Sequence, residues 1–319
     1  MVSSPSTHNR SSYQTGIIFA ILTSISWAFI PIFIKPASLE MTSANISFVR
    51  LLGGTLGLLI LSGIKPDWKA RAIKAFKPAL FAGILFTYHY WSYIEGIAWS
   101  GPALGRVLIG MGSVFLALIG LFFFHERLGP LQLLGVCCAF LGVAAFTLSI
   151  HGGSIENVQL PAVLLLLSSA LIWSVYAFLQ RHASRDNLGS EFLMIMFAVS
   201  ASLTFFLTTP SEYMHASPLA LLSTLILALL TISGYGCFSK AMSTEIPLTH
   251  LTVVTCTSPL LTLLMLLFLN NYFSTLLPPE GLTPFCLIPA AFCMFGVYLV
   301  VAKKKTLPLP ASTEKISVK

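Results

Sequence analysis

The sequence predicts an all-α membrane protein: about ten transmembrane helices, built as two inverted five-helix repeats with both termini cytoplasmic. Three observations carry that expectation. Of 319 residues, 56% are hydrophobic and 9% charged, whereas a soluble domain has about 25% charged residues. Such a chain lacks the polar skin that water requires, so lipid must solvate much of it. Apolar windows of membrane-spanning length recur along the chain, and the basic residues fall almost wholly in alternate connections.

Windows of about 19 residues place spans at 16–35, 43–63, 78–98, 102–124, 130–150, 158–180, 190–209, 217–238, 247–269 and 283–302. Each is long enough to cross a core of roughly 30 Å. A helix satisfies its backbone polar groups within one run, as lipid demands. Residues 1–15 form a polar, Ser-rich tail that leads directly into a full-length apolar run. A signal peptide has a shorter apolar core and a small-residue cleavage site, so the first helix is expected to be retained. Residues 303–319 form a basic tail.

With the N-terminus inside, Arg10, Lys65, Lys69, Arg71, Lys74, Lys77, Arg127, Arg181, Arg185, Lys240 and the lysines of the C-terminal tail all fall in cytoplasmic segments. Only Lys35 falls outside, and Arg50 and Arg106 lie within spans. The positive-inside rule fits this partition. It accounts for a net charge of +7 without any nucleic-acid partner. A bacterial inner membrane is the expected location. The six cysteines lie in apolar stretches without zinc-ligand or disulfide spacing. They read as packing residues, and neither metal nor cofactor is expected.

The chain repeats itself. At an offset of 146 residues, Trp27 matches Trp173, Ala37-Ser38 matches Ala183-Ser184, and Arg106, Gly110, Ser113 and Ala117 match Thr252, Cys256, Pro259 and Leu263. Beyond a longer loop the offset becomes 154, pairing Pro130, Gly142 and Val143 with Pro284, Gly296 and Val297. The halves are therefore 16–150 and 158–302. An odd number of helices per half makes the second enter from the opposite side. In inverted repeats of transporters the substrate site lies near the midplane between halves.

These residues resemble the EamA-like branch of the drug/metabolite transporter superfamily. The likeness rests on Trp27, Arg50, the Gly101–Arg127 segment with its Phe-rich end and His125-Glu126-Arg127, then Gln132, Gly135, Gly142 and Pro259. It spans about residues 16–302 and implies two five-helix halves. The family often has Pro where Ser113 stands, and an acidic residue near Tyr272, where this chain has Asn270-Asn271-Tyr272. The two halves are thus not expected to be chemically equivalent.

Ionisable groups inside a bilayer are functional candidates because their burial is costly. Arg50, Glu95 and Arg106 lie well within spans. Glu95 and Arg106 fall at similar depth on consecutive antiparallel helices, which predicts either a structural ion pair or an outer gate. Glu95 is also a candidate for titration during transport. Arg50 has no evident acidic partner. Its guanidinium suits a carboxylate or phosphate, or else donates to backbone carbonyls or reaches outward. Tyr88, His89, Trp91 and Tyr93 precede Glu95 in an aromatic stripe expected to line a polar cavity. Helical spacing puts Tyr88, Trp91 or Ser92, and Glu95 on one face, with Tyr90 or His89 and Tyr93 on the next. Trp173, Tyr176 and Gln180 share a face, as a wall of that cavity or as buried packing. His89 suits a proton relay or a satisfied bond to a neighbouring helix. Gly53, Gly54 and Gly57, and the stripe Gly110, Ser113, Ala117 and Gly120, read as close-packing surfaces. Pro31 and Pro259 are candidate kinks. Glu126 reads as a structural cap.

These features point to a secondary transporter working by alternating access on a small polar metabolite. The interior charges sum to +1, which favours an amino acid or related zwitterion, or an organic anion. Proton coupling and the choice between monomer and homodimer stay open. A flippase of a lipid-linked anionic carrier, or a carrier of nucleotide-like metabolites, is the alternative. The dipeptide Gly-Lys never occurs, which excludes a P-loop ATPase. HExxH, GxSxG and paired intramembrane aspartates are likewise absent, so no catalytic residue is assigned.

Overall fold

The computed structural model describes residues 7–62, 67–124, 129–272 and 281–301. The proposed cap Glu126, its neighbours His125 and Arg127, and the basic C-terminal tail lie outside them. The described residues are helical and contain no strand. The first half holds α1 (Thr7–Ser38), α2 (Ser43–Ser62), α3 (Trp68–Ser100), α4 (Pro102–Ile109), α5 (Gly112–Phe124) and α6 (Pro130–Ile150). The second holds α7 (Leu160–Arg185), α8 (Gly189–Phe205), the short α9 (Pro210–His215), α10 (Pro218–Met242), α11 (Leu248–Thr255), α12 (Ser258–Tyr272) and α13 (Leu287–Val301).

Among the described residues, 8 helical stretches are long and apolar enough to cross a membrane. The other two expected spans lie in α8, apolar but 17 residues long, and in α3, 33 residues long. The polar aromatic stripe and Glu95 dilute the apolar character of α3. Helices α1 and α3 start earlier than expected: α1 takes in half of the supposed tail, and α3 runs through Pro78 from Trp68. Gly101, with φ 90°, makes the tight turn into α4, a conformation that side chains with a Cβ resist.

Exchanging the halves pairs α1 with α7, α2 with α8, α3 with α10, α4–α5 with α11–α12, and α6 with α13. The packing survives that exchange. Contact of α1 with α10 corresponds to α7 with α3, α2 with α10 to α8 with α3, and α1 with α12 to α7 with α5. Helices α2 and α8, and α6 and α13, pack on their own counterparts. The halves therefore interdigitate, and small residues permit it. A Cβ on Gly142 would lie 2.6 Å from Cys293 Cα, and one on Gly135 would lie 2.7 Å from the Gly296 carbonyl. The α6 and α13 backbones meet there. Gly53, Gly54 and Gly57 likewise admit Ala228, Phe197 and Ile232, so the α2 glycines pack helices. All six cysteines are free.

Both expected spans 102–124 and 247–269 are broken in the middle, at Gly110-Met111 and at Cys256-Thr257. The repeat offset of 146 relates Gly110 to Cys256. Tight i→i−3 bonds mark both breaks: Gly110 to Val107, Met111 to Leu108, and Thr257 to Val254.

The ends of the bundle differ. At one, Arg71 pairs with Glu191 at 2.7 Å and donates to the Asn187 carbonyl. At the other, Glu40 accepts from the Ser217 amide at 2.5 Å and from its hydroxyl at 2.6 Å. Glu212 accepts from the Thr42 amide and the Asn45 side chain, at 2.7 and 2.8 Å. Tyr213 donates to the Asn45 carbonyl at 3.0 Å. These bonds latch the α1–α2 connection onto the α8–α10 connection.

Candidate functional site

Where the halves meet, both broken helices, α1, α2, α3, α7 and α10 enclose a chamber of about 60 Å³. About 10–15 Å³ is enough for one water, so the chamber has room for a few. Trp27, Arg50, His89, Tyr90, Tyr93, Arg106, Trp173 and Tyr235 line it, with Ser113, Thr255, Cys256, Ser258 and Pro259 at the helix breaks.

The helix break positions Arg106. Pro259 has no N–H to give to the Thr255 carbonyl one turn back. The Ser258 hydroxyl bonds that carbonyl at 2.6 Å instead. Having donated its proton there, Ser258 Oγ accepts from Arg106 Nη2. Arg50 is held by the same device. The Thr231 hydroxyl donates to the Leu227 carbonyl at 2.8 Å and accepts from Arg50 Nε at 3.2 Å. Each guanidinium also faces an aromatic ring: Arg50 stands 4.5 Å from the Tyr90 centroid and Arg106 5.9 Å from that of Trp27. Such contacts stabilise a desolvated cation without neutralising it.

Both arginines are buried, at 2% and 7% exposure. Neither has a carboxylate partner among the described residues. Arg50 Nη1, Arg106 Nε and Trp27 Nε1 are buried donors with no acceptor. A buried donor without an acceptor is costly; the Tyr90 and Tyr93 hydroxyls are buried and unbonded as well, so the chamber holds two cations amid unused hydrogen-bonding capacity.

The expected Glu95–Arg106 ion pair does not form. Glu95 is half-buried and accepts from Ser43 Oγ at 2.5 Å, on α2, while Arg106 turns to α12. Similar depth on adjacent helices does not fix azimuth, and here the two residues face different neighbours. The aromatic stripe also divides. His89, Tyr90 and Tyr93 face the chamber. Tyr88 and Trp91 are 41% and 39% exposed and stand outside its lining with Glu95. Tyr88 bonds Ser168 at 2.8 Å. His89 Nδ1 lies 2.8 Å from the Ser169 hydroxyl and 3.1 Å from its carbonyl, so the ring bonds a neighbouring helix while it borders the chamber.

Trp173 lines the chamber, whereas Tyr176 lies behind it, packed on Phe86 at 4.9 Å and Tyr235 at 5.7 Å. Gln180 does not reach it. Its Nε2 bonds Ser239 Oγ at 2.8 Å, the Gly189 carbonyl at 3.1 Å and Ser184 Oγ at 3.2 Å, pinning α7 to α8 and α10.

Tyr235, Thr231 and Ser258 were missed in the sequence. Thr231, Tyr235 and Ser239 fall at i, i+4 and i+8, a polar stripe on an otherwise apolar helix, and that spacing was the available signal.

Toward the Arg71 end lies a vestibule of about 820 Å³, bordered by Ser184, Asn187, Gly236, Ser239 and Lys240. On α10, Tyr235 borders the chamber and Ser239, one turn on, borders the vestibule, and a layer of rings packs around that turn. Trp27 meets Phe238 at 4.9 Å, Tyr235 at 5.6 Å and Trp173 at 5.8 Å between centroids.

The chain is similar to an uncharacterized transporter of Haemophilus influenzae, 24% identical over 81% of this chain and 85% of the relative. It is also similar to the uncharacterized inner membrane transporter YhbE of Escherichia coli, 22% identical over 72% and 73% of the two chains. A solved crystal structure 18% identical in sequence shares the fold, with a TM-score of 0.58 over 92% of this chain and 98% of that one. The EamA-like transporter family model matches residues 14–148 and 160–302, one copy on each half, so the chain belongs to the EamA-like transporter family and is a multi-pass membrane transporter.

Proposed function

We propose that the protein is a secondary transporter of a small anionic metabolite, an organic anion or an amino acid, and that Arg50 and Arg106 hold its acidic group. The single observation that carries this reading is two buried guanidiniums without carboxylate partners in one ring-lined chamber between the halves. Because Glu95 stands off the chamber, the charge presented to a substrate is higher than the sequence suggested, and an organic anion is favoured over a zwitterion.

In this reading α3 and α8 complete ten crossings, the second half is inserted opposite to the first, and both termini are cytoplasmic in a bacterial inner membrane. The interdigitated packing supports the inversion, and Arg71, Arg185 and Lys240 at the vestibule end support its orientation. The latch at Glu40 and Glu212 closes the outer side, and the ring layer closes the inner side toward an open vestibule. Transport alternates between breaking one and breaking the other. The test is a thermal-shift screen of purified protein against organic anions, amino acids and nucleosides, followed by counterflow in proteoliposomes with the hits. Arg50→Ala and Arg106→Ala should abolish counterflow; wild-type rates from both would remove the proposed site.

A further inference from the structure

We propose that this site takes small dianions, of the dicarboxylate or phosphate-monoester class, and moves them only by exchange. The inference rests on the carrier reading above and deepens it.

The chamber carries two guanidinium charges. A guanidinium stays protonated in proteins, and the Glu95 carboxylate is turned to Ser43 on α2, outside the chamber lining. His89, which borders the chamber, is bonded to Ser169. Two positive charges therefore persist in a chamber of about 60 Å³ whose rings and hydroxyls soften their burial without cancelling it. Bound monoanion leaves one charge uncompensated, and a zwitterion leaves both, since its ammonium is repelled by the same arginines. A dianion brings the site to neutrality. Arg50 Nη1, Arg106 Nε and Trp27 Nε1 can only donate, so they too require a ligand made of acceptors. Lys240, exposed on the vestibule, adds to a potential that draws anions inward.

Exchange follows from the same charges. Every half-cycle of alternating access passes through a state closed at both ends. Closing an empty chamber leaves two cations with at most a few waters and no counter-charge, which is the costly case for buried charge. Closing it around a dianion buries a neutral assembly. The loaded carrier then crosses readily, while the empty one is held back, and net flux in one direction stalls.

The experiment uses the full chain in proteoliposomes. Labelled succinate and labelled glycerol 3-phosphate are offered outside vesicles that contain the same solute, propionate, alanine or buffer alone. Uptake into dianion-loaded vesicles should exceed that into the others by about tenfold or more, the ratio set by about 1.4 kcal/mol. The succinate and glycerol 3-phosphate arms tell a carboxylate site from a phosphate site. Arg106→Gln, which removes one charge, should shift preference from succinate toward propionate, a change that mere loosening of the fold does not produce. Equal uptake into buffer-filled vesicles overturns exchange, and alanine or propionate moving as well as the dianions overturns the charge assignment; both results leave the carrier reading intact. If none of the four solutes moves while the broader screen finds another transported organic anion or amino acid, the dianion inference fails alone; if the screen finds only a neutral or cationic metabolite, the anion site fails with it. If the broad screen also finds nothing, both fail.

Discussion

Trp27 and Trp173, equivalent residues of the two halves, meet edge to face at 5.8 Å with their planes 82° apart. A side chain and its own repeat partner can touch only near the axis that relates the halves, so this pair marks that axis. It also forms the floor of the chamber. Phe238 closes the layer from α10, 4.9 Å from Trp27 and 6.0 Å from Trp173. Edge-to-face pairs contribute about 0.5–1.5 kcal/mol beyond the area they bury, a strength suited to a contact that forms and breaks during a cycle.

The ring layer should therefore behave as a gate. Cys256 lines the chamber beyond it. In a variant retaining Cys256 as its sole cysteine, a membrane-impermeant thiol reagent in the vestibule should label it slowly. Phe238→Ala or Trp27→Ala should accelerate labelling by about tenfold or more, the loss of one ring contact and its packing. Unchanged labelling would mean the chamber does not communicate with the vestibule through these rings.

The hydroxyls of Thr231 and Ser258 should matter nearly as much as the arginines they hold. Each accepts from a guanidinium and donates onward to a helix carbonyl, and a hydrogen bond to a charged group is worth about 1.5–3 kcal/mol. Thr231→Val and Ser258→Ala should each weaken substrate binding by roughly 10–100-fold without unfolding the protein. Isothermal titration in detergent with a transported solute measures it. Affinity within twofold of wild type would show that the arginines need no such support.

Much of this was legible in the sequence, and the limits have physical causes. The repeat offset pairs Gly110 with Cys256, yet the sequence predicts unbroken spans there, with a candidate kink only at Pro259; the matched breaks come from the structure. Arg50, Arg106, His89, Tyr93 and Trp173, which border the chamber, stand out in the sequence because polar and aromatic groups at mid-membrane are conspicuous. Depth is read directly at about 1.5 Å per residue. Azimuth is not. Tyr88, Trp91 and Glu95 share the depth of the chamber and point elsewhere, and Gln180 follows Tyr176 by one turn yet belongs to the α7–α8–α10 junction. Thr231, Tyr235 and Ser258 escaped notice because hydroxyls in apolar helices usually bond their own backbone. The Thr231 and Ser258 hydroxyls do so as well, and their second bond, to a guanidinium, is visible only in three dimensions.

The latch at Glu40 should respond to acid. The hydroxyl and amide of Ser217 hold the Glu40 carboxyl below the usual glutamate range. Its contribution to closure is therefore complete above that range and disappears as pH falls through the lowered value. Tyr213, pushed up to about 12 by burial and then by Glu212, keeps its proton throughout and does not add to the response. Spin labels at exposed Leu39 and Met214 should report a short distance from pH 8 down through the ordinary glutamate value of about 4.3, widening only in more acidic solution. Glu40→Gln should shift the populations toward the wider distance at every pH. A distance that widens near pH 6 in the wild type would assign the response to another group.

Helices α6 and α13 should tolerate no added bulk at their crossing. Gly142 faces the Cys293 backbone so closely that even one methyl must displace a helix. Forcing extra atoms into such a contact costs about 1–3 kcal/mol. Gly142→Val should lower the thermal midpoint in detergent by several degrees, about 2–4 °C per kcal/mol for a chain of this size. Gly152→Ala, with open space around its Cβ position, controls for the loss of glycine, although its φ of 68° adds local strain. An equal shift from both would mean that backbone conformation, not helix contact, sets the sensitivity.

Glu95 offers the sharpest separation of sequence from structure. Depth alone makes it the partner of Arg106, and an intramembrane glutamate is a natural proton carrier. Its carboxylate instead accepts from Ser43 at the start of α2, outside the chamber lining. Removing its charge therefore leaves both guanidiniums and every donor around them in place. Glu95→Gln should bind and exchange substrate within about twofold of wild type, since an amide oxygen still accepts from Ser43 and a neutral hydrogen bond differs from a charged one by about 1 kcal/mol or less at a partly exposed site. Arg106→Gln in parallel should lose affinity by about tenfold or more. The comparison is made by titration and counterflow at pH 6 and pH 8. If Glu95→Gln abolishes a pH dependence that the wild type shows, the carboxylate titrates within the cycle, and a conformation other than this one must bring it to the substrate.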